Sequence, residues 1–179
     1  MSDPLTDLGL ASAVRELEAH AAESGWDQPA RLFALVPTAD LVRREPTLAA
    51  ALGLMDGEAP GALTPIEQEV TDEQLERLLQ TISWPDEVLG CAAVVERLVL
   101  PPGADEELPD DSASATSYAR QHPDRQEVRI VAAITRTGAS YCALRMRAHD
   151  DPDSVLSGPD LVPGLLELLA ETLQEESTR

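Results

Sequence analysis

Two alternating runs of residues, 127–135 and 139–148, meet at Gly138, and their pairing constrains the fold more than any other feature of the chain. A period of two sends successive side chains to opposite faces of a strand. A three-residue loop, Arg136-Thr137-Gly138, places the glycine at the left-handed third position of a bulged hairpin. Thr135 then faces Ala139. One face pairs Val128 with Met146, Ile130 with Leu144, and Ala132 with Cys142, and is wholly apolar. The other pairs Glu127 with Arg147, Arg129 with Arg145, Val131 with Ala143, and Ala133 with Tyr141. A two-residue loop would oppose Ile130 to Arg145 and mix the faces, so patterning selects the bulged register.

This register sets two guanidiniums side by side, where like charges repel. The cluster stands out because the chain has no lysine: its 13 cationic side chains are all arginine, against 33 Asp and Glu, for a net charge of -20. Glu96 and Glu127 are the expected internal partners. If they neutralise the strip, it is an ordinary solvent face of a one-sided antiparallel sheet. If they do not reach it, the planar guanidiniums suit a carboxylate or phosphate. The candidate anion- or partner-binding residues are therefore Arg129, Arg145, Arg147, Arg97 and Tyr141.

The remaining chain supplies helices and further strands. Leu10, Val14, Leu17 and Ala21 repeat at helical spacing over 5–24, with Arg15, Glu16 and Glu18 elsewhere on the wheel, and Gly25 ends the helix. Residues 32–36 read as a buried strand stopped by Pro37. Thr38 starts a short helix ending before Pro46, and a second follows over 47–52. The Gly- and Pro-rich stretch 53–65 reads as loop, and Thr64-Pro65-Ile66-Glu67 as a capping box that starts a helical turn. Leu75, Leu78, Leu79 and Ile82 mark a helix over 72–82, and 88–100 a long strand. Residues 101–112 hold five carboxylates and three prolines and are expected to form a mobile acidic loop. A weak helix is expected over 113–121 and a turn region over 150–158. Asp160 is expected to cap a C-terminal helix with Pro163 in its first turn, and 174–179 to fray. The expected architecture is one α+β domain over 1–179. It has an antiparallel sheet of three to four strands and helices on one face, the first and last helices covering the apolar face.

Length and a 43% hydrophobic content support a sizeable core, built from Ala, Leu and Val because aromatics are only 3%. A strongly acidic balance argues against direct binding to nucleic acid phosphates and to anionic membrane surfaces. The absence of lysine and asparagine points to GC-rich coding. No secretory leader or membrane span is read, and two dispersed cysteines, Cys91 and Cys142, indicate a cytoplasmic protein with reduced thiols. No cofactor or metal signature is present. His149, Asp150, Asp151 and Asp153 match no cation loop, with Pro152 interrupting them. Cys142 is expected to be an inert core thiol.

Several strings occur together: Trp26-Asp27-Gln28-Pro29, Trp84-Pro85, Gly90-Cys91-Ala92, His122-Pro123-Asp124-Arg125, Cys142-Ala143-Leu144-Arg145 and Asp160-Leu161-Val162-Pro163-Gly164. With them the chain resembles a family of uncharacterised proteins of high-GC actinobacteria. The resemblance spans nearly the whole chain. It implies a cytoplasmic bacterial protein and transfers no catalytic residues.

Three functions compete on the sequence. The first is a non-catalytic binding or adaptor protein that engages an acidic peptide or small anion through the exposed arginine face. The second is a small-molecule enzyme using Glu96, His122 or His149 with the arginine strip. The third is an acidic protein that sequesters a basic partner.

Overall fold

A computed structural model describes residues 4–51, 53, 61–69, 75–99, 114, 121 and 126–174. Among these residues six strands form one antiparallel sheet in the order β2-β1-β3-β4-β5-β6. They are β1 (Arg31–Pro37), β2 (Leu63–Gln68), β3 (Gly90–Val99), β4 (Gln126–Thr135), β5 (Ser140–Met146) and β6 (Leu156–Gly158). The helices whose bounds lie within the described residues are α1 (Pro4–Ser24), α2 (Thr38–Arg44), α3 (Pro46–Ala51), α4 (Leu75–Leu79) and α5 (Pro163–Leu173). The chain is thus α+β, with the strand of 32–36 inside the sheet as expected.

The hairpin has the register that the alternation demands. Val128 lies opposite Met146, Arg129 opposite Arg145, Ile130 opposite Leu144, and Ala132 opposite Cys142. Gly138 holds φ 91°, and its N–H donates to the Thr135 carbonyl while the Thr135 N–H donates to Ala139. A side chain at that φ would be strained, so the glycine fixes the phase of both strands.

The expected count of three to four strands is too low. β2 was hidden by the glycines before it and by Pro65 within it. Pro65 is tolerated because β2 is the outermost strand and needs no donor on its free side. Thr64-Pro65-Ile66-Glu67 therefore runs extended along β1 rather than starting a helix. β6 is three residues long, too short to show alternation, and lies in the stretch read as turn. Asp160 does not cap α5. The N-cap is Val162, without a side-chain cap hydrogen bond, and Pro163 occupies the first turn as its missing N–H allows.

Helices cover both faces of the sheet, not one. Leu75 and Leu79 of α4 with Leu166, Leu169 and Leu173 of α5 pack on Leu32, Cys91, Ala93, Val95, Val128, Ile130, Ala132 and Cys142. This is the apolar hairpin face, and each buried leucine there stabilises by about 1.5–3 kcal/mol. Leu10, Ala13, Val14, Leu17 and Ala21 of α1 pack on the opposite face, against Phe33, Leu35, Ala92, Val94, Val131, Ala133 and Ala143. So the first and last helices lie on opposite sides, and α1 covers the face that carries the arginines. Alternation cannot announce this second layer, because Val131, Ala133 and Ala143 are compatible with a wet or a dry surface. Three alanines at its centre (Ala92, Ala133, Ala143) leave room for α1 to approach closely.

The expected loop 101–112, most of the expected helix 113–121, and residues 175–179 lie outside the described residues. Among the described residues no helix is long and apolar enough to cross a membrane.

Arg136, at the hairpin tip, ties the layers together. Its guanidinium donates to the carbonyls of Val88 (2.8 Å), Leu173 (2.6 Å), Trp84 (3.1 Å) and Pro85 (3.0 Å). It thereby satisfies carbonyls at the end of α5 and in the connector before β3. Arg136→Ala is expected to cost about 2–3 kcal/mol, read as a lower urea midpoint with unchanged slope. Arg136→Lys is expected to recover only part of it, since an ammonium cannot span four carbonyls.

Candidate functional site

Glu18 is the residue that the sequence reading misplaced. It lies four residues after Val14 and three before Ala21, on the stripe of α1 that faces the sheet, and it is 5% exposed. Beneath it Arg129 and Arg145 are 2% and 5% exposed. The Nη2 of Arg145 donates to Glu18 Oε1 at 2.6 Å, and its Nε shares the two carboxylate oxygens at 3.1 and 3.2 Å. Arg129 Nη1 lies 3.7 Å from Glu18 Oε2. One buried carboxylate thus relieves the cross-strand repulsion from above. A second, Asp150, accepts from Arg145 Nη1 at 3.1 Å at the edge of the cluster. Two guanidiniums face two carboxylates, so the centre is balanced. Hydrogen bonding to Glu18 outweighs desolvation and pushes the Arg145 pKa up.

The expected neutralisers do other work. Glu96 lies beside Arg129 in the register, but its oxygens accept the backbone N–H groups of Asp27 and Gln28, both at 2.9 Å. These two bonds hold the segment that leaves α1. Gly25 at φ 82° and Asp27 at φ 65° bracket Trp26 and turn it back over the sheet end. The Trp26 ring then covers Arg129, with the guanidinium carbon 4.3 Å from the ring centre, and Arg147 approaches the same ring at 5.6 Å. Such stacking suits a partly desolvated arginine. Arg129 Nη2 donates to the Gly25 carbonyl at 2.6 Å, while its buried Nη1 has no hydrogen-bond partner among the described residues. The indole N–H of Trp26 donates to Asp150 at 3.1 Å. That bond, and then Arg145, hold the Asp150 carboxyl below its ordinary range. Glu127 pairs with Arg147 at 3.0 Å, as does Asp27.

The exposed arginine face expected from the sequence does not exist as such. Arg129 and Arg145 lie beneath α1. Arg147 leaves the strand in a 3-10 turn, Arg147–His149, and is engaged by Asp27 and Glu127. Arg97 alternates onto the other face of β3, with Cys91, Ala93 and Val95. Tyr141 remains on the α1 side, at the opposite end of β5 from Arg147. Of the proposed catalytic groups, His122 lies outside the described residues, and His149 is exposed on the turn without a side-chain partner among the described residues. Among the described residues no three His, Cys, Asp or Glu side chains gather as a metal site would need. Cys91 and Cys142 are fully buried, and burial pushes the Cys91 thiol up to about 12, so neither is a poised nucleophile.

A groove of about 400 Å³ opens beside the cluster, between α1, β5, β6 and the turn at Pro152. Ala19, Ala22, Ala143, Pro152 and Val155 form its apolar lining, and Arg15, Glu18, Arg145 and Ser157 its polar one. Arg15 stands at the groove. It donates to the Tyr141 hydroxyl at 3.3 Å and stacks on that ring at 5.7 Å, and Tyr141 donates to Ser157 Oγ at 3.1 Å. Among the described residues no carboxylate pairs with Arg15. The sequence reading passed over this residue because it sits on the helix, not in the hairpin.

The family model of the PPA1309-like proteins matches residues 10–174. The chain belongs to the PPA1309-like family. The matched span includes the whole ion cluster and the groove. No curated protein and no solved structure matches the chain.

Glu18→Gln in this PPA1309-like chain keeps the side-chain shape and removes the charge between two buried guanidiniums. It is expected to cost about 3–5 kcal/mol in urea unfolding. Glu18→Leu combined with Arg145→Met is expected to cost less than Glu18→Leu alone, because one buried guanidinium, that of Arg129, is then stranded rather than two. Asp150 adds a pH dependence. A carboxyl whose pKa is depressed on folding contributes stability above its unfolded pKa and loses it as pH falls through the folded value. Asp150→Asn is therefore expected to lower stability at neutral pH. That deficit relative to the parent should shrink progressively below about pH 4.

Proposed function

We propose that the chain is a non-catalytic binding protein that takes an anion-bearing ligand in the groove between α1 and β5–β6. One observation carries this reading. On a chain of net charge -20, Arg15 presents a guanidinium to a ligand-sized groove without a carboxylate partner among the described residues. Elsewhere the arginines facing α1 are matched: Arg129 and Arg145 by Glu18, Arg147 by Asp27 and Glu127, and Arg31 by Glu67 at 2.8 Å. The buried pair becomes the support of this site rather than its contact surface. Glu18 and Asp150 fix the Arg145 guanidinium, which forms one wall of the groove. Tyr141 fixes Arg15, and Ser157 adds a hydroxyl that can donate. A volume of about 400 Å³ falls at the lower end of the range for small-molecule sites, ~300–1,000 Å³.

The setting we propose is the cytoplasm of a high-GC actinobacterium. Two free buried thiols and the exclusive use of arginine as the long cation support it.

Titration with butanoate, followed by amide and guanidinium resonances, tests the binding. Shifts are expected at Arg15, Tyr141, Ala143 and Ser157. Arg15→Ala, an exposed position that leaves the core intact, is expected to weaken binding at least tenfold. Equal affinity in the parent and Arg15→Ala would discard the groove as the site.

A further inference from the structure

We infer that the ligand of this groove is a monocarboxylate with a short apolar chain, a deepening that rests on the anion-binding reading above. Charge fixes the head group. Arg145 spends Nε and Nη2 on Glu18 and Nη1 on Asp150, so Arg15 supplies the uncommitted cationic contact. The groove already holds negative charge: Glu18 is part of its lining, and Asp150 pairs with Arg145, another lining residue. A dianionic phosphate or an acidic peptide meets repulsion there, on a body already at -20. A single carboxylate is matched by one planar guanidinium, which can hold both oxygens at once.

The lining fixes the rest of the molecule. Behind Arg15 the surface is made of Ala19, Ala22, Ala143, Pro152 and Val155, without a hydrogen-bonding side chain among these five. Ala143 is 1% exposed and backed by the α1 layer of the core. A polar tail would lose water there and gain no partner, whereas an alkyl tail is favoured in proportion to the area it covers. The groove is partly open to solvent, so the gain per methylene falls short of full burial.

Calorimetric titration with acetate, butanoate, hexanoate and inorganic phosphate tests the assignment on the full chain. From acetate to hexanoate each added methylene is expected to lower Kd about two- to threefold, a fully buried methylene being worth about fourfold. Phosphate is expected to bind no tighter than acetate. Two exposed helix positions keep the test independent of folding, with urea midpoints confirming that the variants are intact. Arg15→Ala should weaken all carboxylates at least tenfold. Ala19→Asp should abolish hexanoate binding by placing a second anion in the groove. Tight phosphate binding without a chain-length trend, or preference for a glutamate-rich peptide, overturns the monocarboxylate and leaves the anion groove standing. Failure of every probe to bind removes both readings. Hexanoate binding that survives both substitutions places the ligand elsewhere and overturns the inference.

Discussion

A single carboxylate, that of Glu18, holds the helical layer against the sheet where two guanidiniums would otherwise drive it away. Register forces Arg129 and Arg145 to be neighbours, and α1 buries both. Desolvating two like charges is among the costliest things a fold can do, so the helix can occupy this face only with an anion aimed into it. The surrounding features follow from that need. Alanines at the sheet centre let the helix come close enough. Gly25 and Asp27 bend the exit of α1 so that Trp26 shields Arg129, and Glu96 fixes this exit through two backbone N–H groups. Asp150 supplies the second negative charge from the far side.

How much of this could be read from the sequence depends on how local the determinant is. The hairpin was fully legible, pair by pair, because period two and one left-handed glycine act within twenty residues. The apolar character of its first face was legible for the same reason, and α5 covers it. What covers the second face was not. Arg129, Val131 and Ala133 form a pattern that a solvated sheet and a buried ionic layer share, and the deciding partner lies over a hundred residues away in α1. Glu18 carried a signal nonetheless: its spacing from Val14 and Ala21 places it on the buried stripe, where a carboxylate demands a cation. β2 and β6 were missed for opposite reasons, one masked by its proline and flanking glycines, the other too short for any period to appear.

The candidate site shows the same division. The sequence named Tyr141 and Arg145, which the structure keeps near the groove, and Arg129 and Arg147, which it consigns to shielding and ion pairing. Arg97 falls on the other side of the sheet because β3 alternates. Arg15 drew no notice, since an arginine on an amphipathic helix is unremarkable until its neighbours are known. Its significance comes from Glu18 being turned inward: the carboxylate one helical turn away, an obvious partner, is already committed to the core.

The two borders of the sheet bear on how copies of this chain treat one another. On one side Pro65 interrupts the outermost strand, which offers one fewer donor to an incoming ribbon. On the other, β6 provides a template only three residues long. Both devices blunt strand addition, the route by which flat sheets polymerise. Mutual repulsion between molecules at -20 acts in the same direction. Edge geometry and net charge thus both disfavour strand-to-strand association between copies.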